Sequence, residues 1–114
     1  METKAVISAL AAIAQESRLA IFRLLVQAGP EGMIASKISE ALNIAPSSLS
    51  FHLKELNHAD MISVKQNGRF MIYAANFTTM NHLLGFLTDN CCGGNPCTPV
   101  STCKPAKASK KTLA

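Results

Sequence analysis

Four cysteines crowd one end of the chain: Cys91, Cys92, Cys97 and Cys103, in the pattern CC-x4-C-x5-C. This is not the paired CxxC…CxxC of a tetrahedral zinc ribbon. Adjacent cysteines form a mutual disulfide only under strain. Both thiolates can still turn to one soft ion, and a third from the glycine-proline loop that follows can close a three-sulfur site. Three sulfurs with no nitrogen or carboxylate suit a thiophilic ligand of low coordination number. Trivalent arsenic or antimony, with three bonds and a lone pair, fits that set better than zinc. A zinc or soft-cation site using all four thiols, a thiol-redox pair, and no chemical role at all are the alternatives.

A second constellation lies upstream, in Ile44 to His58, IAPSSLSFHLKELNH. Projected at about 100° per residue, Leu49, Leu53 and Leu56 share one side. Ser47, Phe51, Lys54 and His58 share the other, with Ser48 and Ser50 on the flanks. One face suits a core. The other is small, hydroxylic and lightly basic. The serines near the helix start can reach phosphates or base edges. An exposed Phe51 suits a thymine methyl in the major groove, although the ring could equally pack under a following hairpin, and the serines could simply cap the helix. His52 borders the leucine face, as a partly buried hydrogen-bonded residue or a phosphate contact. Lys54 can reach the backbone.

These residues need a frame. The periodicity predicts a helix over 3–14 with Val6, Ile7, Leu10 and Ile13 on one face. A second helix follows over 18–28, capped by Ser17, with Ile21, Leu24, Leu25 and Ala28 inward. Gly29-Pro30 ends it, and Met33-Ile34 is a short strand or a packed turn. A third helix begins near Ser36 and ends near Leu42. Asn43-Ile44-Ala45 is a turn, and Pro46 opens the fourth helix, which runs to about Ala59. Ile62–Gln66 and Phe70–Ala74 read as a hairpin with Asn67-Gly68 in its loop. Lys65 and Arg69 flank that tip, where a wing would meet the minor groove. Asn76 caps a fifth helix over 77–90, with Met80, Leu83, Leu84 and Leu87 on a stripe and Gly93-Gly94 as its stop. The order is that of a winged helix-turn-helix, mainly α with a β-hairpin.

Length and charge bound the rest. The 114 residues support one small domain. Residues 1–90 form it, and 91–114 are a cysteine- and lysine-rich tail. The net charge is +4, but four lysines (Lys104, Lys107, Lys110, Lys111) lie in that tail. Before Cys91, seven basic residues face seven acidic ones, so any grip on DNA depends on placement rather than net charge. No apolar run nears the roughly 20 residues that cross a bilayer. The faintly signal-like N-terminus reads as a folded helix, and cysteines confined to the tail suggest a reduced, cytoplasmic setting. No histidine is paired in sequence with a plausible nucleophile, so enzymatic activity is not expected. The first and last helices carry more apolar surface than so small a domain can cover, which predicts a homodimer paired through them.

The stretch AIAQESRLAIFRLLVQAGPEGM, the SxSxHLxxL motif at Ser48 to Leu56, the NGR wing and the cysteine-rich end resemble the ArsR/SmtB family of metal-responsive repressors. The resemblance covers roughly residues 5–90. It implies a homodimeric repressor that binds double-stranded DNA and leaves its operator on binding inducer. Two departures stand out. The stretch Ile34 to Leu42, before the recognition helix, has no cysteine, and the last helix has only His82 of the zinc-type set. What remains resembles the arsenite sensors whose vicinal cysteines follow the fifth helix. That resemblance gives Cys91, Cys92 and Cys97 as arsenite ligands, with Cys103 as substitute or spare and antimonite as a second inducer. A thiol-redox repressor of the same fold and a metalloid or zinc scavenger are the rival functions. Two recognition helices about 34 Å apart would read an inverted repeat.

Overall fold

The computed structural model describes residues 1–94. Their order is α1 (Thr3–Ile13), α2 (Glu16–Ala28), β1 (Met33–Ile34), α3 (Ala35–Leu42), α4 (Pro46–His58), β2 (Ile62–Asn67), β3 (Phe70–Ala75) and α5 (Phe77–Leu87), then a 3₁₀ turn at Cys91–Gly94. The three strands pair antiparallel in the order β1-β3-β2. This is the winged helix-turn-helix that the sequence predicts.

The helical faces follow from which side chains are small. On α1 the buried residues are Val6, Ala9 and Ala12. The alanines let α1 lie close against its neighbours, and that rotates the bulkier residues away. Ile7 is therefore 60% exposed and Leu10 38% exposed, so the expected stripe divides: Val6 is buried in the protomer, while Ile7 and Leu10 supply the uncovered apolar surface that the sequence predicts for this helix. On α2, Ile21 and Leu25 are buried as expected, but Phe22 joins them and Ala28 is exposed. The cap of α2 is also two residues earlier than Ser17. Gln15 Oε1 accepts from the Arg18 backbone N–H at 2.9 Å, so the helix begins at Glu16.

Gly29, with φ +85°, closes α2. Gly32 has φ +73°, and a Cβ there would run into the Tyr73 carbonyl oxygen. That close approach lets Met33 and Ile34 pair with Tyr73 and Ile72, so this segment is a strand. Between α3 and α4, Asn43 sits in the left-handed region at φ 55°, a conformation asparagine tolerates better than most residues. Ser39 Oγ donates to the Ile44 carbonyl at 2.6 Å and holds the turn. Ile38, Leu49, Leu56, Met61 and Ile62 complete the core between α3, α4 and the sheet.

The hairpin register differs by one residue from expectation. Asn67 pairs with Phe70, so the two-residue loop is Gly68-Arg69. Gly68 has φ +65°, whereas Arg69 does not take a positive φ. Glycine first is the type II′ arrangement, not the Asn-Gly type I′ turn. At the end, α5 stops at Leu87 rather than Asn90, with Thr88 as its C-cap. Thr88 Oγ1 folds back onto the Leu84 carbonyl at 2.9 Å, and Asn90 turns left-handed at φ 58°. Among the described residues no single helix is long and apolar enough to cross a membrane.

Candidate nucleic-acid interface

Helix α4 starts with proline, whose missing N–H costs nothing at the first helical position. Its N-cap, Ala45, offers no side-chain cap. Ser47, Ser48 and Ser50 are exposed, and none makes a side-chain hydrogen bond among the described residues. They do not cap the helix, so their hydroxyls are available at its N-terminal end. Leu49, Leu53 and Leu56 are buried beneath, which matches the projected split between faces.

Phe51 is 56% exposed and does not pack under the hairpin. Its ring meets the imidazole of His52 edge-on, with centroids 5.7 Å apart and planes at 62°. His52 is half-buried, as expected, and its Nδ1 lies 3.4 Å from an Arg18 guanidinium nitrogen. Arg18 in turn donates from Nε to the Ala12 carbonyl at 2.6 Å. Lys54 is exposed on the same helix, and Lys65 and Arg69 are exposed on the hairpin. Gln66 Nε2 donates to the Gly68 carbonyl at 3.2 Å and braces the turn that carries Arg69. Strand β2 packs against α4, so the wing sits beside the helix.

The sequence reading missed two residues. Arg18 is separated from His52 by 34 positions, and no local pattern announces that contact. Asp60 sits in the left-handed region at φ 64°, just past the end of α4. Its carboxylate accepts from Asn76 Nδ2 and Thr79 Oγ1, each at 3.3 Å. Asn76 also caps α5 as expected, accepting from the Thr79 N–H at 3.1 Å. The end of α4 is thereby tied to the start of α5.

Of the four cysteines, Cys91 is exposed at the start of the 3₁₀ turn, and its backbone N–H donates to the Thr88 carbonyl at 2.9 Å. Cys92 follows it in that turn. Cys97 and Cys103 lie outside the described residues. Among the described residues, no group of three or more His, Cys, Asp or Glu side chains is assembled to hold a metal ion.

A two-helix unit with a buried leucine seam, a bare polar face and an adjoining charged hairpin defines a winged helix-turn-helix DNA-binding protein. A helix-turn-helix domain model matches residues 13–65. The HTH-type transcriptional regulator YceK of Bacillus subtilis (strain 168) is 32% identical over 77 residues, covering 67% of this chain and 76% of that protein. The transcriptional repressor SdpR of the same organism is 37% identical over 59 residues, covering 48% of this chain and 66% of that one. The chain belongs to the helix-turn-helix family of transcriptional regulators, DNA-binding proteins and not enzymes. Its fold is of the ArsR type. The ArsR-like regulator from Rhodococcus sp. RHA1 superposes with TM-score 0.66 at 24% identity, over 74% of this chain and 76% of that one. A homodimeric winged helix-turn-helix domain from Mycobacterium bovis superposes with TM-score 0.61 at 19% identity, over 81% and 85%.

Proposed function

We propose that the chain is a homodimeric repressor that holds an inverted-repeat operator and releases it when a trivalent metalloid, arsenite or antimonite, binds the cysteines after α5. The DNA half rests on α4, where a buried leucine seam places three serines, Phe51 and Lys54 on the open side. Repression is the activity named for SdpR. The dimer is supported by large apolar side chains left exposed on α1 and α5, namely Ile7, Leu10, Phe86 and Leu87. These two helices pack on each other within the protomer, so their outer faces can form one surface.

One observation carries the sensing half. Every cysteine follows α5, beginning with exposed Cys91 in the turn directly beyond that helix. Binding Cys91, Cys92 and Cys97, with Cys103 as substitute, would fold the tail against the end of a dimer helix. The Asp60 tie between α4 and α5 gives the motion somewhere to go. A coupling of about 1–3 kcal/mol suffices for a clear fall in operator affinity.

The test is operator release by the reduced protein, titrated in turn with arsenite, antimonite, zinc and peroxide. Release by the two metalloids is the expected result. Release by zinc alone sinks the metalloid reading. Release by peroxide alone makes the protein a thiol-redox repressor. A protein that binds metalloid or zinc but no DNA in any state is a scavenger.

A further inference from the structure

Arg18 is fixed at three points. Its backbone N–H is taken by the Gln15 cap at 2.9 Å. Its Nε donates at 2.6 Å to the carbonyl of Ala12, in the last turn of α1, where helix carbonyls lack partners of their own. A terminal guanidinium nitrogen then lies 3.4 Å from His52 Nδ1 in the middle of α4. Arginine stays protonated and has no acceptor. In this pair His52 Nδ1 must therefore be the acceptor, so its proton sits on Nε2.

That second nitrogen is not buried and orphaned. Among the described residues no buried side-chain nitrogen or oxygen lacks a hydrogen-bond partner, and His52 Nε2 makes no hydrogen bond with them. Nε2–H therefore reaches solvent. The ring that carries it also touches the exposed Phe51. A chain of contacts thus runs from the α1–α2 corner to the open face of α4.

We propose that Arg18 is a positioning residue for DNA binding: it holds His52 in the Nε2–H form and aims that uncharged donor, with Phe51 beside it, at a DNA phosphate. The inference rests on the DNA-binding reading of α4. Arg18 itself does not reach the nucleic acid.

The test uses the full chain and a duplex it selects from a random-sequence pool, alongside a scrambled duplex of equal length. Long-range ¹H–¹⁵N NMR of the free protein should show His52 with bare Nδ1 and protonated Nε2. Arg18→Met should erase that preference and weaken binding about tenfold on both duplexes alike, because a phosphate contact carries no sequence information. The salt dependence should stay unchanged, since a neutral donor displaces no counterion. His52→Gln, which keeps a donor near Nε2, should bind better than His52→Asn, which keeps only a group near Nδ1. If Arg18→Met fails to fold, Arg18→Lys, which keeps the charge but not the fork, should show the same loss. A proton on Nδ1, or wild-type affinity in the folded Arg18 variant, overturns the proposal. So does a salt slope lowered by about one, which would make Arg18 a direct phosphate contact. Failure of the wild-type protein to select any duplex overturns the DNA-binding reading itself, whereas a protein that binds DNA with Nδ1 protonated overturns only the role of Arg18.

Discussion

Phe51 is a large apolar ring kept in water on an otherwise polar face. Full burial of such a side chain is worth about 1.5–3 kcal/mol, which the free protein forgoes. The position is explained if the ring is buried against DNA instead. Phe51→Ala should then leave urea-unfolding stability within about 0.5 kcal/mol while weakening operator binding by about tenfold, mainly at a thymine position. A loss of several kcal/mol in stability would show instead that the ring belongs to the core. The cysteines make the complementary case. Cys91 is exposed beyond the last helix, far in sequence from the leucine seam that shapes α4. A Cys91→Ser/Cys92→Ser variant should bind the operator as tightly as the parent and no longer release it with arsenite, read by fluorescence anisotropy. Retained release would move the sensor elsewhere.

Elements depend on single backbone positions more than on their periodic faces. Gly32 shows this. It combines φ +73° with a backbone approach that leaves no room for a Cβ beside Tyr73. Gly32→Ala should cost about 2 kcal/mol or more in denaturant unfolding, by detaching β1 from β3. Near-parental stability would mean that β1 adds little to the sheet. Such positions also mark how far the sequence could be read. The leucine seam of α4 and the Asn76 cap of α5 were legible because 3.6-residue periodicity and capping chemistry are local. The face of α1 was legible only in part, because large side chains mark its apolar stripe, whereas Ala9 and Ala12, which decide how closely the helix packs, carry no such signal. The hairpin loop slipped by one residue because Asn-Gly and Gly-Arg both supply a glycine, and only cross-strand pairing chooses between the turns they make. The Arg18–His52 and Asp60–Thr79 contacts were invisible for a plainer reason: they join segments that only the finished fold brings together.

At the scale of the whole molecule, the large exposed apolar residues among those described, Met1 and Leu19 apart, fall into two groups. Phe51 lies on the open face of α4, and Phe70 and Met71 lie on the wing. Ile7 and Leu10 lie on α1, and Phe86 and Leu87 on α5, with Leu87 56% exposed. The second group sits on neighbouring helices at the ends of the folded chain, where a two-fold axis would bury it against its copy. The folded part carries no net charge (seven basic against seven acidic residues before Cys91), so a single protomer has only a few placed contacts with which to hold DNA. Joining two such weak readers makes the second binding step intramolecular, and avidity of about 10²–10⁴ becomes available without any new contact to DNA. Ile7→Glu/Leu87→Glu places carboxylates in that seam without touching α4 or the wing. Sedimentation at micromolar concentration should show the parent as a dimer and this variant as a monomer, with helical content retained by circular dichroism. Its affinity for the full inverted repeat should fall by at least about tenfold, towards that of either protein for a half-site. A parent that sediments as a monomer, or a variant that stays dimeric, would place the interface somewhere other than α1 and α5.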